Sequence, residues 1–596
     1  MVTPAGMRIG ALTISRARSG LAAMLLAAAA CVDPLPPPVP PAPVERDAEF
    51  DQGSRIEPQD LTALQVDHLA LLAKVWGFAK YHDPRVLTGS ANWDYELFRA
   101  IPPVLAATDR ASATAAIVAW LDRLGPIRGC VRCASPVSGA QLSPDIAWIA
   151  DAAALGTVLS SRLVAIHRNR PADGTQRYVS FPSPVGNPDF SAEERYPQHA
   201  TPDAGYRLLA LFRFWNIIQY WFPYRDVIGE DWEHVLREYI PRMVHPMTAV
   251  EYRRAMIRLT GRINDSHANI WSQLALQPPL GGAQVPVALR FVEGKAVVTG
   301  YLHPALGPAT GLEIGDVIEQ VDGVPVETLV DSLRAWYPAS NEPARLRDIA
   351  RKLLRGEGHT VLSGSRAAGP FVRSVPRAPL SQLSATGWQH DRPGPAFQRL
   401  SDSVAYLKLS SAIAADASTY VSSALAARAL ILDLRNYPGS FLVFPLGGRL
   451  VSTPTPFARF TLGVPSNPGA FLWSAPVALS PLLPQFTGPV VVLVDEVTQS
   501  SAEYHAMAFR AAPNTIIVGS PTAGANGNVS AIPLPGAIES MISGIGVFSP
   551  EGRPTQRIGL VPDVEVRPTI GGIRAGIDEV LEAGIALAFA ASARAP

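Results

Sequence analysis

Two adjacent hydroxyls mark the corner of this chain best suited to chemistry. In VVVLVDEVTQSSAEYHAMAF (490–509), Ser500 and Ser501 stand where an apolar run gives way to helix-forming residues. Val491–Val494, preceded by Gly488-Pro489, suits a core strand of a sheet covered on both faces. The run that follows has serine at the cap position and Glu503 in the first turn. A serine there can be an ordinary N-cap. It can also be a nucleophile, because the first N–H groups of a helix lack intrahelical partners and can hold an oxyanion. A second chemical group, Ser266-His267 in INDSHANIWS, falls just past an amphipathic helix, in a loop leading toward a strand. Histidine titrates near neutrality and can serve as a general base; a structural histidine is the alternative. A buried strand, Leu430–Leu434, runs into the polar bend RNYPGS. That bend and TQSSAE both sit at strand C-termini, where α/β sheets collect their sites, and the convergence favours the nucleophile over the cap.

Other residue types narrow the field. No Walker loop, HExxH or paired CxxC is found, so no metal or cofactor is expected. Three cysteines are present. Cys130 and Cys133, in CVRC, have no second ligand pair nearby and no βαβ context, which leaves a local disulfide as the plain reading. Net charge is zero and the pI is near 7.2, giving no footprint for nucleic acid or for an anionic membrane surface.

The elements that must position these residues come in several blocks, since 596 residues exceed a single core. A basic stretch with Arg8, Arg16 and Arg18, then LAAMLLAAAAC ending at Cys31, reads as a secretory signal over 1–31, too short to span a membrane. Small residues before Cys31 resemble a bacterial lipobox, with Ala28 where Leu is usual; lipidation of Cys31 and ordinary cleavage are the two outcomes. Residues 32–58 follow as a proline-rich tether, PLPPPVPPAP at its heart. The expected location is therefore periplasmic, with outer-membrane anchoring if Cys31 carries lipid.

An internal duplication comes next. Trp76, Tyr81, Pro84 and Trp93 are matched by Trp215, Tyr220, Pro223 and Trp232, at offsets of +5, +8 and +17 from the first Trp in both. Each copy continues as an amphipathic helix, so a duplicated helical unit with a buried aromatic face is predicted over 59–200 and 201–280. The segment 281–375 is β-rich: GLEIGDVIEQVDG sets turns at Gly315-Asp316 and Asp322-Gly323 around a strand Val317–Val321, followed by a helix. It resembles a PDZ domain. The remainder, 376–596, has the βαβ character of an α/β core.

Taken together, NDSHANI, the PDZ-like segment, LILDLRNYPGS, VVLVDEVTQSSAE, IIVGSPTAGANG and QRIGLVPDVEV resemble, over roughly 205–590, the serine peptidases of family S41, the C-terminal processing and tricorn-like peptidases. The resemblance implies a multi-domain α/β protein with a ClpP/crotonase-like core. It makes Ser500 the nucleophile, with the Ser501 and Gly439 N–H groups as oxyanion donors. Processing-type members activate the serine with a lysine; here TAGANG has Ala525 in its place. Tricorn-like members use a histidine, which matches His267, with Ser266 in its hydrogen-bond network. Their glutamate is replaced by Gln556, so either the amide suffices or another acid, Asp265 or Glu551, contributes. His505, on the same helix as Ser500 but facing another side, is the lesser rival base. The implied activity is hydrolysis of peptide or unfolded-protein substrates through a Ser500 acyl-enzyme; the alternative is a catalytically weak or inactive binding protein for peptides or apolar ligands on the same fold.

Overall fold

The computed structural model describes residues 47–592, apart from 58, 90 and 385–387. The expected signal, the proline run 34–43 and Cys31 lie outside the described residues. Among those residues no helix is long and apolar enough to cross a membrane.

The duplication is realised as two sets of three helices. The first set is α1 (Ala63–His82), α2 (Trp93–Leu105) and α3 (Arg110–Asp122); the second is α4 (Ala204–Trp221), α5 (Trp232–Val244) and α6 (Ala249–Gly261). Residues of one copy map onto the other by adding 139, the difference between Trp76 and Trp215. In each copy the two tryptophans lock helix to helix by donating indole N–H to one another's carbonyls. Trp76 and Trp93 do so at 2.9 Å both ways, and Trp215 and Trp232 at 2.7 and 3.1 Å.

The copies then pack about a pseudo-dyad. Equivalent Tyr81 and Tyr220 meet edge to face, and equivalent Gly77 and Asn216 face each other where α1 crosses α4. A Cβ on Gly77 would stand 1.8 Å from Asn216 Oδ1, so only glycine permits the approach. Asn216 uses it to donate to Ala73 O at 3.0 Å. The ion pairs are exchanged between copies as the dyad requires: Lys74 pairs with Glu233, and its equivalent Arg213 pairs with Asp94, the equivalent of Glu233.

The β-rich block is an antiparallel sheet of β1 (Val287–Val292), β2 (Lys295–Tyr301), β3 (Val317–Val321), β4 (His359–Arg366) and β5 (Gly369–Pro376), in that order. Two helices, α7 (Val326–Leu333) and α8 (Glu342–Ala350), cover it. Strand β3 falls where the sequence puts it.

The third block is a six-stranded sheet: β6 (Phe397–Arg399), β7 (Val404–Lys408), β8 (Ala429–Asp433), β9 (Val490–Val494), β10 (Thr515–Gly519) and β13 (Val564–Glu565). From β7 onward the pairing is parallel. Strands β8 and β9 are buried throughout. One face packs on α9 (Ser501–Arg510) through Ala502, Ala506 and Phe509; the other packs on α10 (Glu579–Ser592) through Val580, Leu581 and Ala588. That two-sided cover is the reason β9 reads as an unbroken apolar run.

Between β10 and β13 a hairpin, β11 (Val529–Leu534) and β12 (Ile538–Ser543), leaves the sheet and joins the aromatic core of the helical block through Ile532, Leu534, Ile538 and Ile542. Arg213 donates to Pro533 O and Tyr252 to Pro535 O, fixing it there. This docking brings the end of β12 to the loop after α6.

Candidate active site

Ser500 caps α9 directly beyond the C-terminal end of β9, with φ 58° and ψ −119°. A non-glycine residue in that region costs on the order of 1–3 kcal/mol, so its surroundings must hold it there. They do so from several sides. Ser500 N–H donates to Ala525 O at 2.9 Å and approaches Glu503 Oε2 at 3.3 Å. Thr498 Oγ1 donates to Leu434 O, tying the preceding loop to β8. From the β-rich block, Arg347 donates to Glu496 O at 2.8 Å and to Gln499 Oε1 at 2.9 Å. The turn leaves Ser501 N–H in the first turn of α9, among the donors a helix cannot satisfy itself.

Glu503 is the hub beneath this turn. It is fully buried; one carboxylate oxygen accepts from Thr522 Oγ1 and Gly524 N–H, the other from Ala525 N–H and Ser500 N–H. Burial pushes its carboxyl up to about 7 despite those donors. The sequence marks Glu503 only as a first-turn acid; its inward role depends on the 522–525 turn folding over it. Ala525, where a processing-type lysine would stand, is buried and offers only its backbone.

The base side is built around Asp265, also fully buried. Ser543, at the end of β12, donates its N–H to Asp265 Oδ2 at 2.7 Å and its hydroxyl to Oδ1 at 3.0 Å. His267 Nδ1 lies 2.9 Å from Ser543 Oγ. Because the Ser543 proton goes to the carboxylate, its oxygen must accept from the ring, which assigns the proton to Nδ1. Nε2 is then an acceptor, and it is buried without a partner. Burial holds the His267 pKa below its ordinary value, with Asp265 opposing that shift from 3.9 Å.

The expected site residues fall as follows. Gln556 does not touch His267; its Nε2 donates to Asp265 Oδ1 and to Ser340 Oγ, each at 3.3 Å. Of the two alternative acids, Asp265 reaches the ring through Ser543, while Glu551 is exposed and bonded to Ser549. Ser266 bonds reciprocally with Ser340 and donates to Ala523 O at 3.4 Å, anchoring the histidine loop to the turn that also receives Ser500. Nothing in the sequence singled out Ser543, an ordinary strand serine 276 positions from His267.

His505, the rival base, has both ring nitrogens engaged. Its Nε2 accepts from Leu442 N–H at 2.8 Å and its Nδ1 donates to Ser501 O, while burial brings its pKa down to about 4. It fastens the 436–442 bend to α9. Gly439, on that bend, departs from expectation: its N–H donates to Leu409 O at 2.8 Å and so is not a free oxyanion donor in this structure. The bend lies so close to the 409–412 segment that a Cβ at Gly439 would meet Ser410 O at 2.6 Å. Cys130 and Cys133 are disulfide-bonded, away from this site.

Two further groups adjoin the nucleophile loop. His390, Asp495 and Glu496 offer three ligand atoms within 4.8 Å of one another, yet these atoms are already engaged: Arg290 bonds both carboxylates, at 3.2 Å and 2.7 Å, and His390 Nδ1 lies 2.7 Å from Asp495 Oδ2. Beside them, a cavity of about 250 Å³ runs between β1 and α8, with Arg290, Leu346, Arg347, Trp388 and Val497 on its walls.

Comparison with known proteins places this architecture. Residues 461–566 match the family model of Peptidase family S41. Among solved structures, mature CPAF complexed with lactacystin aligns with a TM-score of 0.52 at 15% identity, covering 65% of this chain and 98% of that one. Mature CPAF alone gives 0.52 at 16%, over 65% and 96%. The photosystem II D1 C-terminal processing protease gives 0.38 at 18%, over 60% and 92%. At these identities the CPAF likeness is one of fold. No curated protein sequence matches the chain.

Proposed function

We propose that this chain, of which residues 461–566 match the model of Peptidase family S41, is a serine-type peptidase that cleaves peptide bonds through an acyl-enzyme on Ser500, with His267 as the base and Asp265 acting on it through Ser543. His267 Nε2 takes the Ser500 hydroxyl proton as Oγ attacks the scissile carbonyl carbon, and the carbonyl π electrons move to oxygen. Ser501 N–H faces the developing oxyanion; Gly439 N–H joins it once its bond to Leu409 O is exchanged for one to the substrate. On collapse the C–N bond breaks and the imidazolium proton goes to the departing amine. Water then repeats the sequence on the ester, returning the hydroxyl proton to Ser500.

The observation that carries this reading is the unpartnered, buried Nε2 of His267, its tautomer fixed by the Ser543–Asp265 pair. The strained Ser500 backbone supports it, since such conformations persist where the surroundings enforce them. The cavity between β1 and α8 is the proposed docking place for an extended peptide segment, in the manner of a PDZ groove. The N-terminal sequence supports export to the periplasm, with outer-membrane anchoring if Cys31 carries lipid.

A second reading, a binding protein without turnover, is favoured by the engaged Gly439 N–H. Intact-mass analysis after exposure to a fluorophosphonate separates the two. One adduct on the parent, absent from Ser500→Ala and slowed in His267→Ala, is the expected result. A folded parent that gains no mass refutes the peptidase mechanism and leaves the binding protein.

A further inference from the structure

The pseudo-dyad of the helical block exposes an asymmetry between its two copies. In the first copy Lys80 is wholly buried in an aromatic and acidic cage. Its ammonium lies 4.7 Å from the Trp76 ring centroid and 4.1 Å from that of Tyr178, 2.8 Å from Glu193 and 3.5 Å from Asp94. Arg213 enters the same cage from the other copy. Two cations therefore meet two carboxylates.

The equivalent place in the second copy keeps part of the walls but lacks the lysine. Trp215 stands for Trp76 and Glu233 for Asp94, and Lys74 enters across the dyad as Arg213 does, its ammonium 2.9 Å from Glu233 and 4.8 Å over Trp148. Position 219, the equivalent of Lys80, is glutamine. Its side chain is shorter, carries no charge and donates to Asp145 at 3.0 Å. What remains is an open-mouthed cavity of about 170 Å³, floored by the buried Trp215 and Trp232 and flanked by Trp148, Asp145 and Glu233. Glu233 also accepts from Arg237 at the rim. The space equals that of roughly five waters, enough for a butylammonium-sized group.

We propose that this cavity is a binding site for an organic ammonium group, which occupies the place that Lys80 fills in the first copy. The indole faces attract the cation and the carboxylates pair with it, as they do for Lys80. The ammonium can belong to a free amine or to a lysine side chain of a peptide, and both present the same head to the cage.

The test is titration of the full chain as its Ser500→Ala variant, so that no peptide is cleaved, read by tryptophan fluorescence. The probes are n-butylamine at pH 7, n-butanol as neutral isostere, and an N-acetyl, C-amidated Gly-Lys-Gly peptide. Saturable binding of butylamine at least tenfold tighter than butanol is expected; saturation by the peptide as well assigns the site to lysyl side chains, and its failure assigns it to free amines. Gln219→Lys supplies the missing cation from within. It should raise the melting temperature and weaken butylamine at least tenfold. Equal binding of butanol and butylamine overturns the proposal. So does a Gln219→Lys variant that binds butylamine like the parent, or one that melts lower while its binding is unchanged.

Discussion

Replacing Asp265 with asparagine isolates what the buried carboxylate does for His267. The substitution keeps size and leaves an oxygen able to accept from Ser543, while removing a charge 3.9 Å from Nδ1. When His267 takes the serine proton, that charge is what stabilises the imidazolium. With an effective dielectric of about 20, the interaction over this distance is roughly 4 kcal/mol, or about a thousandfold in rate. Asp265 is fully buried, so solvent screening does not reduce the figure much. Ser543→Ala should cost less, about ten- to a hundredfold, because it removes one hydrogen bond to a group that becomes charged while the carboxylate stays. Fluorophosphonate labelling followed by intact mass gives the rate without knowledge of the substrate, and near-ultraviolet circular dichroism checks the fold. The pH profile supplies a second readout. The acid limb of the parent should lie below pH 6.5, because burial lowers the His267 pKa. In Asp265→Asn it should move lower still, since the charge that raises that pKa has gone. A folded Asp265→Asn that labels within threefold of the parent, with its acid limb unmoved, refutes the relay.

Two further outcomes follow from the same network. Gln556→Glu restores the residue type of tricorn-like peptidases, but here the new carboxylate would stand about where Nε2 now lies, 3.3 Å from Asp265 Oδ1. Both positions are buried, so one of the two must hold a proton; at neutral pH this costs about 3 kcal/mol. A lower melting temperature at pH 7.5 than at pH 5, with no faster labelling, is expected, and faster labelling without loss of stability would contradict it. Glu503, pushed up to about 7 from an ordinary 4.5, keeps its proton in the folded chain between those values, where the unfolded chain has released it. Stability should therefore fall as pH rises from about 4.5 to 7, by no more than about 3 kcal/mol. Chemical denaturation across this window should show a flatter slope for Glu503→Gln than for the parent; equal slopes would remove Glu503 as the cause.

What the sequence made legible were features carried by local pattern. The run Val491–Val494 announces a two-sided strand because every position is apolar, and the helix after it is marked by serine and Glu503. The duplication shows in tryptophan spacing because each pair must exchange indole bonds across one helix turn-around, which fixes the offset of 17 in both copies. The resemblance to S41 peptidases brought Ser500 and His267 forward for the same reason: each sits in a short motif. The acid did not yield to this reasoning. A motif places a carboxamide at 556 and a carboxylate at 265, but which of them reaches the imidazole depends on a third residue, Ser543.

Ser543 arrives only because the hairpin of β11 and β12 abandons the catalytic sheet and buries Ile532, Leu534, Ile538 and Ile542 in the helical block. That packing choice is non-local, and nothing in the alternation of the hairpin states which block it will join. The same geometry ties His267, the proposed base, to the duplicated helices. His267 follows α6, its relay follows β12, and both rest on the core of aromatic residues that the two copies share. The helical block thus carries His267, while Ser500 is held by Glu503 and its neighbour Gln499 by Arg347; the 522–525 turn joins the two sides, Ala525 O accepting from Ser500 N–H and Ala523 O from Ser266 Oγ. Under the proposed mechanism, a nucleophile set by one block, a loop clamped by the second and a base aimed by the third react only when all three are docked. The order seen in the linear sequence conceals that dependence, because the residues that enforce it, Ser543, Arg347 and Ser340, each look like surface polar residues until the chain is folded.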